Sequence, residues 1–108
     1  MSPVFFLFIS ILFAYLVGSI PTSFIFARLF KGVDIRRHGS GNVGATNVLR
    51  VVGKLPALIT LVIDISKGVL AVTVMAGFFR KFVGDIDYEL FRILMGFSAI
   101  VGHIWTVF

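Results

Sequence analysis

The chain has no cysteine and little charge. Without a thiol there is no disulfide, no thiolate metal site and no cysteine nucleophile. Only 14% of its 108 residues are charged, against roughly 25% in an average soluble domain, while 58% are hydrophobic and 15% aromatic. That balance is too apolar for a water-soluble core and reads as an integral membrane protein. Acids are the scarcest class, with five against ten lysines and arginines for a net charge of +5. Such an excess attracts nucleic acid when it gathers on one face. Here the cations stand at the ends of apolar runs, as loop charge on one side of a bilayer does, so no nucleic-acid partner is expected. His38 and His103 lack H-E-x-x-H or cysteine companions, and no metal site is expected.

From Met1 to Ala27 no side chain is charged. This run exceeds the roughly 20 residues that cross about 30 Å of hydrocarbon, and predicts a transmembrane helix over about residues 3–30. Arg28 and Lys31 follow the run rather than precede it, the reverse of a secretory signal. Gly18, Ser19 and Pro21 interrupt it. Small residues permit close helix approach, and Pro21 is expected to kink the helix or release a carbonyl toward a polar interior. The loop over about 31–54 and its flanks hold Arg28, Lys31, Arg36, Arg37, Arg50 and Lys54 against Asp34 alone. The positive-inside rule puts this loop in the cytoplasm and the amino terminus outside. A second helix is predicted over about 55–79, with Pro56 in its first turn where a missing N–H is harmless. Arg80, Lys81 and Arg92 are balanced by Asp85, Asp87 and Glu89, as suits the outer side. A third helix over about 90–107 then brings His103 to the cytoplasmic end, with Trp105 at the interface. The expected fold is all-α, a polytopic transmembrane protein with three transmembrane helices in one membrane domain over 1–108. The apolar run stops at Phe108 without a polar tail, so a C-terminal truncation is expected.

Between the first two helices lies His38-Gly39-Ser40-Gly41-Asn42-Val43-Gly44-Ala45-Thr46-Asn47, closed by Arg50. Its composition is that of an anion cradle. Glycines reach positive φ and let successive N–H groups point at one phosphate, and a guanidinium adds a bidentate fork. Asn42 or Ser40 is expected to cap a short helix through Val48 and Arg50, with its N-terminal amides toward the ligand. A solvated connecting loop has the same composition. Residues 39–44 satisfy G-x-G-x-x-G, and Asp64 lies about 20 residues on, but a transmembrane run stands where a dinucleotide fold needs its first strand. No Lys-Ser or Lys-Thr follows Gly44, which excludes a Walker A loop. Ser40 has no His–Asp pair, so an acyl-serine mechanism is not expected. Asp64 and Lys67 lie well inside the second apolar run, where a charge costs at least about 2.5–3.5 kcal/mol. Either they pair across one helical turn or they line a polar cleft open to the cytoplasm. His103 reads either as an interfacial hydrogen-bonding residue or as a base.

Ser40-Gly41-Asn42-Val43-Gly44-Ala45-Thr46-Asn47-Val48-Leu49-Arg50, following Lys31-Gly32-Val33-Asp34-Ile35-Arg36, resembles the first signature loop of the bacterial acyl-phosphate:glycerol-3-phosphate acyltransferases, the PlsY type. Asp64-Ile65-Ser66-Lys67-Gly68 is similar to their second helix, and residues 102–108 to the lead-in to their second signature. The resemblance implies a multi-spanning enzyme of the bacterial inner membrane with its signature loops facing the cytoplasm. It implies acyl transfer from acyl phosphate to the sn-1 hydroxyl of glycerol 3-phosphate, giving 1-acylglycerol 3-phosphate for phospholipid synthesis, with no cofactor or metal. Membrane lipids and a functional link to the enzyme that makes acyl phosphate are implied as well. Carried over, Ser40, Arg50, Asp64 and His103 form the catalytic set. Gly41, Asn42, Gly44, Thr46, Asn47, Arg36 and Lys67 form the phosphate-binding set.

The chemistry suits those residue types. Acyl phosphate is already activated, so the site must supply orientation, neutralisation of two anions and donors for the developing oxyanion. Thr106 stands where the family commonly has proline. The family's glycine- and lysine-rich second signature is expected just past Phe108, and a third with His and Asn later, so this piece alone is expected to be inactive. Two rivals remain: a small membrane transport or interaction subunit whose loop binds an anion, and a helical hairpin whose polar residues serve packing only.

Overall fold

The computed structural model describes residues 2–108. Among them the regular elements are all helical. They are α1 (Pro3–Gly18), α2 (Thr22–Lys31), a 3-10 turn (Ile35–Arg37), α3 (Ala45–Val51) and α4 (Lys54–Leu70). A π turn (Ala71–Met75) carries α4 into α5 (Ala76–Phe79), and a 3-10 turn (Arg80–Phe82) leads to α6 (Tyr88–Ile104). Two helical runs, Pro3–Lys31 and Lys54–Phe82, are long and apolar enough to cross a membrane. Little of either is buried inside the protein, and large side chains such as Phe8, Val62, Val74 and Phe97 stand more than half exposed. A surface of that kind suits lipid rather than water.

The run expected over 3–30 is parted at Ser19–Pro21 into α1 and α2. Pro21 has no N–H to continue the ladder and disfavours helical geometry at Ile20 before it. At this break the carbonyls of Gly18 and Ile20 accept from Lys67 Nζ, and that of Ser19 accepts from Thr106 Oγ1. By contacts the chain divides into two compact units: residues up to Ile20 with Ser66–Phe108, and Pro21–Ile65.

In the first unit α1 and α6 pack side by side and run parallel. Gly84, just before α6, lies against Pro3, while Gly18 abuts Ala99 and Gly102 abuts Tyr15 and Ser19. A Cβ at Gly18 would collide with the Ala99 backbone, and one at Gly102 with the Tyr15 carbonyl. Close backbone approach through small residues is how helices associate where lipid offers no hydrophobic drive. Phe91, Met95, Ala14, Ala71 and Ala76 fill the core between them. Asp87 caps α6 by accepting the Leu90 N–H at 3.1 Å. Arg92 Nε donates to the carbonyl of Val72 in the π turn at 2.9 Å.

In the second unit a small core of Ala27, Ile35, Val48 and Ala57 joins α2, the 3-10 turn, α3 and the start of α4. Gly32, at φ 69°, ends α2 in the left-handed region. Lys31 Nζ then donates to the Val51 carbonyl at 2.7 Å, tying the end of α2 to that of α3.

Candidate functional site

The glycine loop lies within the second unit and is built around one amide. Asn47, on α3, is 2% exposed. Its Oδ1 accepts the Ser40 N–H at 3.1 Å. Its Nδ2 donates to the carbonyls of Ile35 at 3.3 Å, His38 at 3.1 Å and Asn42 at 3.0 Å. Every polar atom of the side chain is thus spent on the backbone of residues 35–42. Asn47, expected among the phosphate ligands, is the loop's internal brace. The reason is geometric: an amide with donors and an acceptor can satisfy a curled backbone from inside, which no hydroxyl or apolar side chain can.

The curl needs glycine at two positions. Gly39 and Gly41 have φ of 56° and 77°. A Cβ at Gly39 would also strike Asn47 Oδ1. Gly44 differs. Its φ of −147° is ordinary extended backbone, and a Cβ there would meet nothing within 4 Å. Gly44 is the N-cap of α3 and provides no side-chain cap. The cap expected at Asn42 or Ser40 is therefore absent, because the N-cap position falls on Gly44. Ser40 Oγ accepts the Asn42 N–H at 3.3 Å. The start of α3 borders open space at Gly44. Ser40, Asn42, Thr46 and Arg50 are all exposed around the same loop and helix.

Asp34 sets the loop's entrance. Its Oδ1 accepts the Arg36 N–H at 3.0 Å, and its carboxylate takes Arg36 Nε at 3.0 Å and Nη2 at 3.1 Å. The Arg36 guanidinium holds the Asp34 carboxyl below its ordinary value near 3.8, overcoming partial desolvation. Arg36 also lies over the Phe24 ring at 4.5 Å. Arg36, expected to bind phosphate, thus turns its Nε and Nη2 edge to Asp34 at the loop entrance. His38 Nδ1 donates to the Asp34 carbonyl at 2.9 Å, which fixes its tautomer.

The remaining expected residues lie on the long helices. Asp64 is half-buried on α4 within the second unit. Lys67 and His103 belong to the first unit. Lys67, 6% exposed, donates from Nζ to the carbonyls of Gly18 and Ile20, each at 2.9 Å. His103 is exposed on the last turn of α6. Sequence reasoning missed the bracing by Tyr15, whose hydroxyl donates to the Trp105 carbonyl at 2.7 Å, and by Thr106, whose Oγ1 donates to the Ser19 carbonyl. It missed Asp34 as well, although an Asp two residues before a cation and just ahead of a turn is a readable cap signal. Among the described residues no group of three or more His, Cys, Asp or Glu side chains is placed to hold a metal ion.

A helical chain with two apolar runs fit for a bilayer and a glycine-curled loop braced from within belongs among helical membrane-associated proteins. Comparison narrows the class. The family model described as Glycerol-3-phosphate acyltransferase matches residues 8–108. Proteins named glycerol-3-phosphate acyltransferase are similar to this chain in several bacteria. That of Pelodictyon phaeoclathratiforme is 46% identical over 99 residues, covering 88% of this chain and 42% of its own. That of Prochlorococcus marinus (strain MIT 9515) is 46% identical over 99 residues, covering 92% and 46%. That of Chlorobaculum tepidum is 44% identical over 102 residues, covering 91% and 44%. No solved structure matches the chain. The chain belongs to the glycerol-3-phosphate acyltransferase family, and it spans less than half the length of these curated relatives.

Proposed function

We propose that the chain takes part in acyl transfer from acyl phosphate to glycerol 3-phosphate, making 1-acylglycerol 3-phosphate at the cytoplasmic face of a bacterial cell membrane. The observation that carries this reading is the glycine loop curled around Asn47, with open space beside Gly44 at the start of α3, in a chain of this family. In the reaction the sn-1 hydroxyl oxygen adds to the acyl carbonyl carbon. The bond from that carbon to the phosphate oxygen breaks, and inorganic phosphate leaves. Arg50, Ser40 and the amides near Gly41, Asn42, Gly44 and Thr46 neutralise and orient the phosphate. Asp64 and His103 are the groups available to take the hydroxyl proton. The acyl chain stays among the helices, in contact with membrane lipid, and the donor comes from an enzyme that makes acyl phosphate.

The same reading gives three spans with the amino terminus outside. Parallel packing of α1 and α6 requires an odd number of returns between them, and Lys54–Phe82 is one such run. The 17 residues of α6 rise about 25 Å, near the lower limit for a span. The chain has no native cysteine, so Asn42→Cys gives a unique label, expected to react from the cytoplasmic side only.

The activity test uses membranes containing the product of the complete reading frame, with acyl phosphate and labelled glycerol 3-phosphate. Labelled 1-acylglycerol 3-phosphate is expected, with Ser40→Ala or Arg50→Ala lowering its rate by roughly 100-fold or more. No product, or product indifferent to both substitutions, overturns the reading in favour of an anion-binding transport or interaction subunit.

A further inference from the structure

Lys67 is a charge on an apolar helix, and at 6% exposure it is almost fully covered. A phosphate ligand would present its ammonium to an open pocket. Lys67 Nζ instead donates to the carbonyls of Gly18 and Ile20, on either side of Ser19 at the break between α1 and α2. The Ser19 carbonyl between them takes the hydroxyl of Thr106. Tyr15, one turn before the break, reaches across to the Trp105 carbonyl. Gly102 is wedged against Tyr15 and Ser19 from the other side. The end of α1 and the exit of α6 thus form one joint, and His103 lies between the wedge and the exit.

We infer that Lys67 is a positioning residue for the proposed acyl transfer, resting on that reading. Its ammonium fixes the broken end of α1, the joint fixes the exit of α6, and the exit fixes His103 and the backbone that follows. An ammonium suits this post because the C-terminal carbonyls of a helix carry partial negative charge, and in hydrocarbon no water can satisfy them. Thr106 shares the post from the other helix, so the two side chains act as a unit.

The test compares wild type, Lys67→Met, Lys67→Arg, Thr106→Val and the Lys67→Met/Thr106→Val double variant, each made in the complete reading frame and assayed in membranes. A positioning role predicts that Lys67→Met lowers kcat about tenfold or more while KM for glycerol 3-phosphate moves less than about twofold. Lys67→Arg, which still spans two carbonyls, is expected to keep kcat within about threefold. The double variant is expected to fall short of the product of the single losses, the sign of a shared joint. A large rise in KM with kcat retained in Lys67→Met makes Lys67 a phosphate ligand and overturns the inference. Multiplying losses overturn it too, by separating the two residues. Should Lys67→Met not accumulate, a rise in KM in Lys67→Arg is the overturning result. Thermal unfolding in detergent without substrate reads the same coupling, so an inactive wild type would sink the acyltransferase reading while leaving the joint testable.

Discussion

Asn47 draws its partners from Ile35, His38, Ser40 and Asn42, none more than 12 residues away. Lys67 reaches Gly18 and Ile20 across 49 and 47 residues. Both side chains are buried, and both satisfy backbone that has left regular structure. The first braces a loop from within its own sequence neighbourhood. The second holds together helices that meet only when the unit is assembled. Damage to the first should therefore stay in the loop, and damage to the second should appear as lost helix packing.

The largest effect is expected from Gly39→Ala, which combines a left-handed φ with a clash on Asn47 Oδ1. Expelling the brace leaves several backbone groups unsatisfied, a loss of about 3 kcal/mol or more in the loop. Hydrogen exchange should show the Ser40 amide losing protection, with α6 unchanged. Retained protection at Ser40 would mean that something other than Asn47 holds the loop.

Next comes Gly18→Ala, whose methyl meets the Ala99 backbone. Overpacking of this kind costs about 1–3 kcal/mol, read as a lower unfolding temperature in detergent. Exchange in the glycine loop should not move, and a change there would break the contrast between the two hubs.

Gly44→Ala separates folding from function. Its Cβ meets no atom, so the unfolding temperature should hold. The methyl nevertheless enters the space before the first amides of α3, and glycerol-3-phosphate acylation is expected to fall about tenfold. Unchanged activity would remove Gly44 from the anion site.

Asp34→Asn should have the smallest effect. The Asp34 carboxyl titrates below its ordinary value near 3.8 because of Arg36, so its stabilising contribution is complete above that value. It is lost as pH falls through the lower folded value. Wild type should exceed the variant slightly at neutral pH in a stability series. The gap should close only in strong acid, and a gap that widens on acidification would contradict the pairing.

The contrast in range also explains what the sequence made legible. The glycine loop could be recognised as a unit because its parts are neighbours, and the break at Pro21 follows from the chemistry of a single residue. The inward direction of Asn47 was hidden, because composition says that an amide is present and not which way it faces. Lys67 stood out as a charge in an apolar run, yet its partners are backbone carbonyls, which every residue has and no sequence pattern marks. Thr106 drew notice only as a substitution for the usual proline. Its hydroxyl on the Ser19 carbonyl is a bond that proline, lacking a side-chain donor, cannot form.

The joint at Ser19–Pro21 also orders events during synthesis. Ser19 leaves the ribosome 87 residues ahead of Thr106, a gap of roughly four to seventeen seconds at ordinary elongation rates. Throughout that interval the Ser19 carbonyl lacks the Thr106 hydroxyl. The first apolar segment must therefore wait at a wet boundary, or borrow solvent, until the later helices arrive to dry it.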